Sequence, residues 1–348
     1  MTGVQEIADE LVASGAERGV QVAACVDGEQ VVDVVAGVAD PTTGRPVTPD
    51  TLFYNWSIGK GATATLVHRL GLDPETRVVE VWPEFGKHGK DVVTVRQVLD
   101  HTAGVPGLPA GVTVDDVCSW PTMIAGLEDA QPWWEPGTQV GYHAYTFGYL
   151  AGEIVRRVTG RELGDVLADL TAELGYPGEI RYGMTDATGL AVPEDAPSDV
   201  DWSRVPADSP MLRAAPLTVF PTAALGADPR MIAADIPAGA KVTARALAAL
   251  YASWLTSPRL ADVTTVSAEG EDQVYGNECR MSLGFALGLP FGSDDGAGAP
   301  RAFGWAGAGG SWAGADPDRG VAVAVTKNVL AMDFTTVERL VGAVLAEV

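Results

Sequence analysis

Val20-Gln-Val-Ala-Ala-Cys-Val26, Asp27-Gly28 and Gln30-Val-Val-Asp-Val-Val-Ala36 form the stretch from which the fold is read. Two β-rich runs around Asp-Gly are a hairpin signal and imply antiparallel pairing. Further strands are expected at about 281–288 and 311–315 and in the apolar run Gly320-Val-Ala-Val-Ala-Val-Thr326. Between these ends the pattern is helical. A helix opens at Ser57 and runs to about Leu70. A second covers 145–159, with Phe147, Leu150, Ala151, Ile154, Val155 and Val158 on one stripe and Gly160 as its stop. A third covers 242–256, and helices at about 3–16 and 334–347 flank the whole. Residues 186–230 have little periodicity and read as a long covering loop. Strands at both ends with helices between them predict an α+β fold: an antiparallel sheet flanked by helices plus an all-helical lobe. The expected division is an α/β lobe of about 1–60 and 236–348 and a helical lobe of about 61–235, forming one catalytic domain across 1–348.

Composition narrows the function. The 348 residues carry 23 Lys+Arg against 46 Asp+Glu, a net charge of −23. So acidic a chain repels phosphate, which argues against nucleic acid or an anionic membrane as partner. Residues 1–18 are polar and acidic, unlike a secretory signal, and no window approaches the ~20 apolar residues of a membrane span. The three cysteines are far apart, and the four histidines include no His-Glu-x-x-His pair. A cytoplasmic protein with no metal and no cofactor, acting on a small molecule, is the expectation.

Ser57-Ile-Gly-Lys60 is the sharpest motif. With 12 serines and five lysines in the chain, about 0.17 Ser-x-x-Lys pairs are expected by chance, and one occurs. At a helix start the two side chains share a face, so an amine can reach the hydroxyl proton. A serine nucleophile needs such a base, and desolvation can lower a lysine pKa toward that task. In the first helical turn the Ser57 amide would face an oxyanion. Tyr142, on a loop feeding the 145–159 helix, can hold or relay a proton. Phe303-Gly-Trp-Ala-Gly-Ala-Gly-Gly-Ser311 precedes the last apolar strand, and its glycines permit close backbone approach to a ligand, with one amide as a second oxyanion donor.

With these elements in this order, the chain resembles the serine β-lactamase/penicillin-binding-protein superfamily, and most closely the class C-like branch containing the family VIII carboxylesterases. Trp56-Ser-Ile-Gly-Lys60 is similar to the nucleophile motif and Leu99-Asp-His-Thr-Ala-Gly-Val-Pro106 to the HTSG loop. The stretch from Pro136-Gly137 to Gly160 resembles the family's tyrosine region. Ile236-Pro-Ala-Gly-Ala with Thr243-Ala-Arg-Ala-Leu-Ala resembles a later helix entry, and Phe303 to Arg319 the last esterase motif. The resemblance implies Ser57 as the acylated nucleophile, with Lys60 and Tyr142 sharing acid–base duty. It implies the amides of Ser57 and Ala308 as the oxyanion hole. Trp305 and Gly307 fall on the substrate side, and His143, adjoining Tyr142, is placed with them. His101 is expected to pin its turn.

Two departures bear on the substrate. The family's Tyr-x-Asn is Tyr142-His-Ala144, and its Lys-Thr-Gly is Trp305-Ala-Gly307. Loss of the Asn amide and of the cation weakens recognition of anionic β-lactams and peptide carboxylates. The leading expectation is therefore a serine carboxylesterase for neutral esters. Its alternatives are an acyltransferase to a small alcohol or amine, a weak β-lactamase or D-amino-acid amidase, and a catalytically silent binding protein.

Overall fold

Asp27 and Gly28 both adopt positive φ, 49° and 85°, the combination that a type I′ turn demands and strand twist favours. In the computed structural model, which describes residues 2–198, 200–288, 301–331 and 333–348, this turn joins Gly19–Val26 to Glu29–Asp40, with Val26 opposite Glu29. On its other edge Gly19–Val26 pairs antiparallel with Val321–Lys327, from Val20 opposite Lys327 to Val26 opposite Val321. The two ends of the chain thus share one sheet. Among the described residues it has nine strands, in the order Arg45–Pro46, Glu29–Asp40, Gly19–Val26, Val321–Lys327, Ser311–Asp316, Phe303–Gly307, Ala286–Leu287, Glu278–Met281 and Ala268–Glu271.

The central strands are apolar on both faces because both faces are covered. Val20, Val22, Ala24, Val321, Val323 and Val325 pack in one layer with the helices Thr2–Ala13 and Thr335–Glu347. Ala23, Cys25, Ala322 and Ala324 face the other layer, where the helix Ala244–Leu255 lies across them. The α+β class expected from the sequence is the one observed.

Several elements differ from the sequence reading. Phe303–Gly307, expected as a glycine-rich approach to a strand, is itself a central strand, paired with Ser311–Asp316 and Ala286–Leu287. The single strand expected at 281–288 is two, Glu278–Met281 and Ala286–Leu287, separated around Gly284 at φ 99°. Ala268–Glu271 is an edge strand with no apolar run to signal it. In the helix Thr146–Thr159 the stripe ends a turn early, with Val158 40% exposed, and Gly160 at φ 67° forms the left-handed C-cap. The covering loop of 186–230 contains short helical turns, among them Pro210–Ala214 and Ala223–Gly226.

A second, three-stranded sheet positions the candidate nucleophile. Phe53–Trp56 pairs antiparallel with Gly239–Val242, which also pairs with Ile180–Arg181. The helix that follows is Lys60–Arg69, buried along its length to His68 and packed on Thr146–Thr159.

Candidate active site

Ser57 lies in the turn between the strand ending at Trp56 and the helix beginning at Lys60. The expectation that Ser57 sits inside the first helical turn is corrected: its φ is 67°, a conformation uncommon for a residue with a Cβ. Its amide continues the ladder of the preceding strand and donates to the Ala238 carbonyl at 2.8 Å. The amide is therefore committed to a backbone partner and does not stand free for an oxyanion, as the helix-start reading required. Its carbonyl accepts from the Lys60 amide at 3.0 Å, which brings the two side chains to one side despite the missing turn.

Lys60 is fully buried, and its Nζ stands 3.2 Å from Ser57 Oγ. Nζ also donates to the carbonyls of Ala144 at 2.7 Å and Ala238 at 3.5 Å. It makes no ion pair among the described residues, and burial alone holds its pKa well below the ordinary 10.5. Tyr142 donates its phenolic O–H to Ser57 Oγ at 2.7 Å. Burial raises the pKa of that phenol, so it stays protonated. Lys60 Nζ lies 4.7 Å from the centre of the Tyr142 ring. Ser57 and Lys60 of one motif and Tyr142 of another, 82 residues further on, thus meet at one point.

That point opens on a cavity of about 940 Å³ lined by Trp56, Ser57, Tyr142, Trp305, Gly307 and Ala308, among others. Gly307 has a steric reason to be glycine: a Cβ there would collide with the Trp56 carbonyl. Trp305 is buried, and its Nε1 donates to the Gly284 carbonyl at 2.8 Å, so the ring offers substrate an apolar surface with no free donor. Met211, Ala215, Phe220 and Pro221 bring the covering loop to the cavity as an apolar wall. Of the cationic side chains, Arg280 lines it, 3.7 Å from Glu269. Lys241 is buried against the Tyr182 and Met231 carbonyls, Lys327 pairs with Glu17 at 2.8 Å, and Arg213 stacks over Trp133.

His143 is corrected. Its ring is buried and absent from the cavity lining: Nε2 accepts from the Val105 amide at 3.0 Å, and Nδ1 faces the Gly141 carbonyl at 2.7 Å. Accepting at Nε2 places the proton on Nδ1, and burial pushes the pKa down to about 4. A neutral imidazole satisfied at both nitrogens joins two loops and is unavailable to substrate. His101, expected to pin its own turn, ties that turn to the Tyr142 loop, its Nδ1 accepting from the His143 amide at 3.0 Å. It also stacks on Tyr142 and Phe147, with centroids 5.3 and 4.7 Å away.

Sequence reasoning missed the Ala144 and Ala238 carbonyls that hold Lys60, since backbone acceptors leave no mark in residue type. It also missed Asp272, which accepts from the Tyr142 amide, and Tyr275, whose ring lies 5.7 Å from that of Tyr142. Among the described residues no three His, Cys, Asp or Glu side chains group as metal ligands would, and no helix is long and apolar enough to cross a membrane.

Comparison with known proteins places the whole chain in one family. The sequence model of the beta-lactamase family matches residues 4–346. Esterase/beta-lactamase LipL of Mycobacterium tuberculosis (strain ATCC 25618 / H37Rv) is 33% identical, over 90% of this chain and 77% of its own. Among solved structures, a penicillin-binding protein homolog from Caulobacter crescentus is 32% identical with a TM-score of 0.85, and a family VIII carboxylesterase is 29% identical with a TM-score of 0.88. In each case the match covers 100% of this chain and 97% of the other.

Proposed function

The chain belongs to the beta-lactamase family, within the serine β-lactamase and penicillin-binding-protein superfamily, and from that premise we propose that it is a carboxylesterase that cleaves neutral esters through an acyl-enzyme on Ser57. The observation that carries this reading is Ser57 Oγ within hydrogen-bond distance of both Tyr142 and Lys60 at the mouth of a large cavity. In its neutral form the Lys60 amine has two N–H groups for the Ala144 and Ala238 carbonyls and one lone pair for the Ser57 proton. Ser57 Oγ then bonds to the ester carbonyl carbon while its proton passes to Lys60 Nζ. When the ester C–O bond breaks, the departing alkoxide takes a proton from the Tyr142–Lys60 pair and leaves as an alcohol. Water repeats the sequence on the acyl-enzyme, releasing the carboxylic acid and restoring the Ser57 hydroxyl.

The Ala308 amide, at the cavity edge beside Gly307, serves in this reading as an oxyanion donor. The Ser57 amide can join it only by exchanging its bond to Ala238. The domain reading follows the same logic, with Ser57 and Lys60 where a lobe of about 1–60 and 236–348 meets one of about 61–235. Preference for neutral esters is supported by Trp305, apolar toward the cavity, and by the family VIII relative.

A second reading, acyl transfer to a small alcohol or amine, is favoured by the cavity volume of about 940 Å³, near the top of the range for small-molecule sites. Intact-mass measurement after mixing with a p-nitrophenyl ester, with and without such acceptors, tests both. An adduct that clears in water supports the esterase, and one that clears only with acceptor supports the transferase. No adduct together with no release of p-nitrophenol overturns the proposal.

A further inference from the structure

Three carboxylates line the cavity among the described residues, Glu269, Asp272 and Glu278, and of these only Asp272 is buried. It stands at the tip of the hairpin formed by Ala268–Glu271 and Glu278–Met281. Its Oδ1 accepts from the amides of Val274 at 2.7 Å and Tyr275 at 3.0 Å, which closes the turn. Both its oxygens also accept from the amide of Tyr142, at 3.2 and 3.1 Å, from 130 residues away. The neighbouring Gln273 amide donates to the Val140 carbonyl at 3.0 Å, a second tie between the same two loops.

Asp272 makes no ion pair among the described residues. A buried carboxylate without a counter-ion is costly unless N–H groups converge on it, and here three do. Two of them would suffice for the turn. The third belongs to the residue whose phenol touches Ser57.

We infer that Asp272 is a positioning residue for the acid–base phenol: it clamps the Tyr142 backbone so that the hydroxyl is held on Ser57 Oγ. The inference rests on the role proposed above for Tyr142. Tyr275, on the same hairpin tip, sets its ring 5.7 Å from that of Tyr142 and lines the cavity, so hairpin, phenol and substrate wall are joined. Burial is the main cause of the raised phenol pKa; the hydrogen bond to Ser57 opposes it, and the Tyr275 phenol and the Asp272 charge add to it. A displacement of the hydroxyl by about 1 Å would slow proton transfer on the order of 10²-fold.

A double-mutant cycle tests this, with p-nitrophenyl butyrate as substrate and thermal unfolding as the check on folding. Asp272→Ala is expected to lower kcat by about 10- to 100-fold in the wild-type background and by less than about threefold in Tyr142→Phe, since the lost positioning then has no hydroxyl to act through. The same factor in both backgrounds, or an unchanged kcat, overturns the inference. Should Asp272→Ala not fold, Asp272→Asn, which keeps one acceptor for the Tyr142 amide, runs in the same cycle. It is expected to show a smaller loss that again vanishes in Tyr142→Phe, and a loss common to both backgrounds overturns the inference. A Tyr142→Phe enzyme as fast as wild type would overturn the role of Tyr142 itself, a distinct failure.

Discussion

The phenol of Tyr142 donates to Ser57 Oγ at 2.7 Å, although 85 positions separate the two residues. Ser57 is brought there by the turn after Phe53–Trp56, and Tyr142 by a loop that leads into the helix Thr146–Thr159. Burial raises the phenol pKa and lowers that of Lys60, so the contact joins a protonated donor and an amine pushed toward its neutral form across one hydroxyl.

Tyr142→Phe keeps the ring between His101 and Tyr275 and removes the O–H. Acylation by p-nitrophenyl butyrate should slow by about 10²–10⁴, the range for a lost acid–base group. Single-turnover kinetics measures it. A near-normal rate would leave proton transfer to Lys60 alone.

The pH profile follows from the directions of the two shifts. Activity needs Lys60 unprotonated, so kcat/KM rises as pH passes upward through its folded-state pKa, which lies well below 10.5. It needs Tyr142 protonated, and with that pKa raised the plateau should not fall below about pH 10. Lys60→Arg, which cannot release its proton, should be inactive across the range. An acidic limb centred near 10.5 would contradict the base role of Lys60.

In the proposed reading Trp305 takes the place of the family's Lys-Thr-Gly cation, and its one N–H is committed to Gly284. Burying a substrate carboxylate against it without a partner costs several kcal/mol. Neutral p-nitrophenyl butyrate should therefore exceed nitrocefin in kcat/KM by at least about 10²-fold, corresponding to ~2.7 kcal/mol. Trp305→Ala should slow the neutral ester through lost packing. Comparable values for the two substrates would show that Arg280 reaches the anion despite Glu269.

The overall fold was largely legible because its signals are local. Asp27-Gly28 between β-rich runs specifies a hairpin, and the small Ala and Val residues of Val321–Lys327 mark a strand covered on both faces. The three converging side chains were legible through the spacing of Ser57 and Lys60 and through the motif around Tyr142. What stayed hidden depends on contacts distant in sequence. The Ser57 amide was hidden because its partner, Ala238, lies 181 residues on, in the turn just before the strand Gly239–Val242. His143 was misread because adjacency to Tyr142 says nothing about direction: Gly141 and Val105 turn its ring inward. Asp272 sits among acidic hairpin residues that look solvated, and the fold alone brings it to the Tyr142 amide.

His143→Ala leaves the Val105 amide and the Gly141 carbonyl without partners in a buried place. Each unsatisfied group costs about 1–3 kcal/mol, so Tm should fall. Thermal unfolding and kinetics on one preparation decide it: reduced kcat/KM with an unchanged Tm would return His143 to the substrate side.

Fluorophosphonate labelling of wild type and Ser57→Ala, read by intact mass, decides whether Ser57 is the acylated nucleophile. Ser57 is the one serine of the chain followed three residues later by lysine, and Lys60 and Tyr142 both converge on its oxygen. Wild type should carry a single adduct, mapped to the peptide containing Ser57, and Ser57→Ala none. Labelling that survives the substitution would contradict that role.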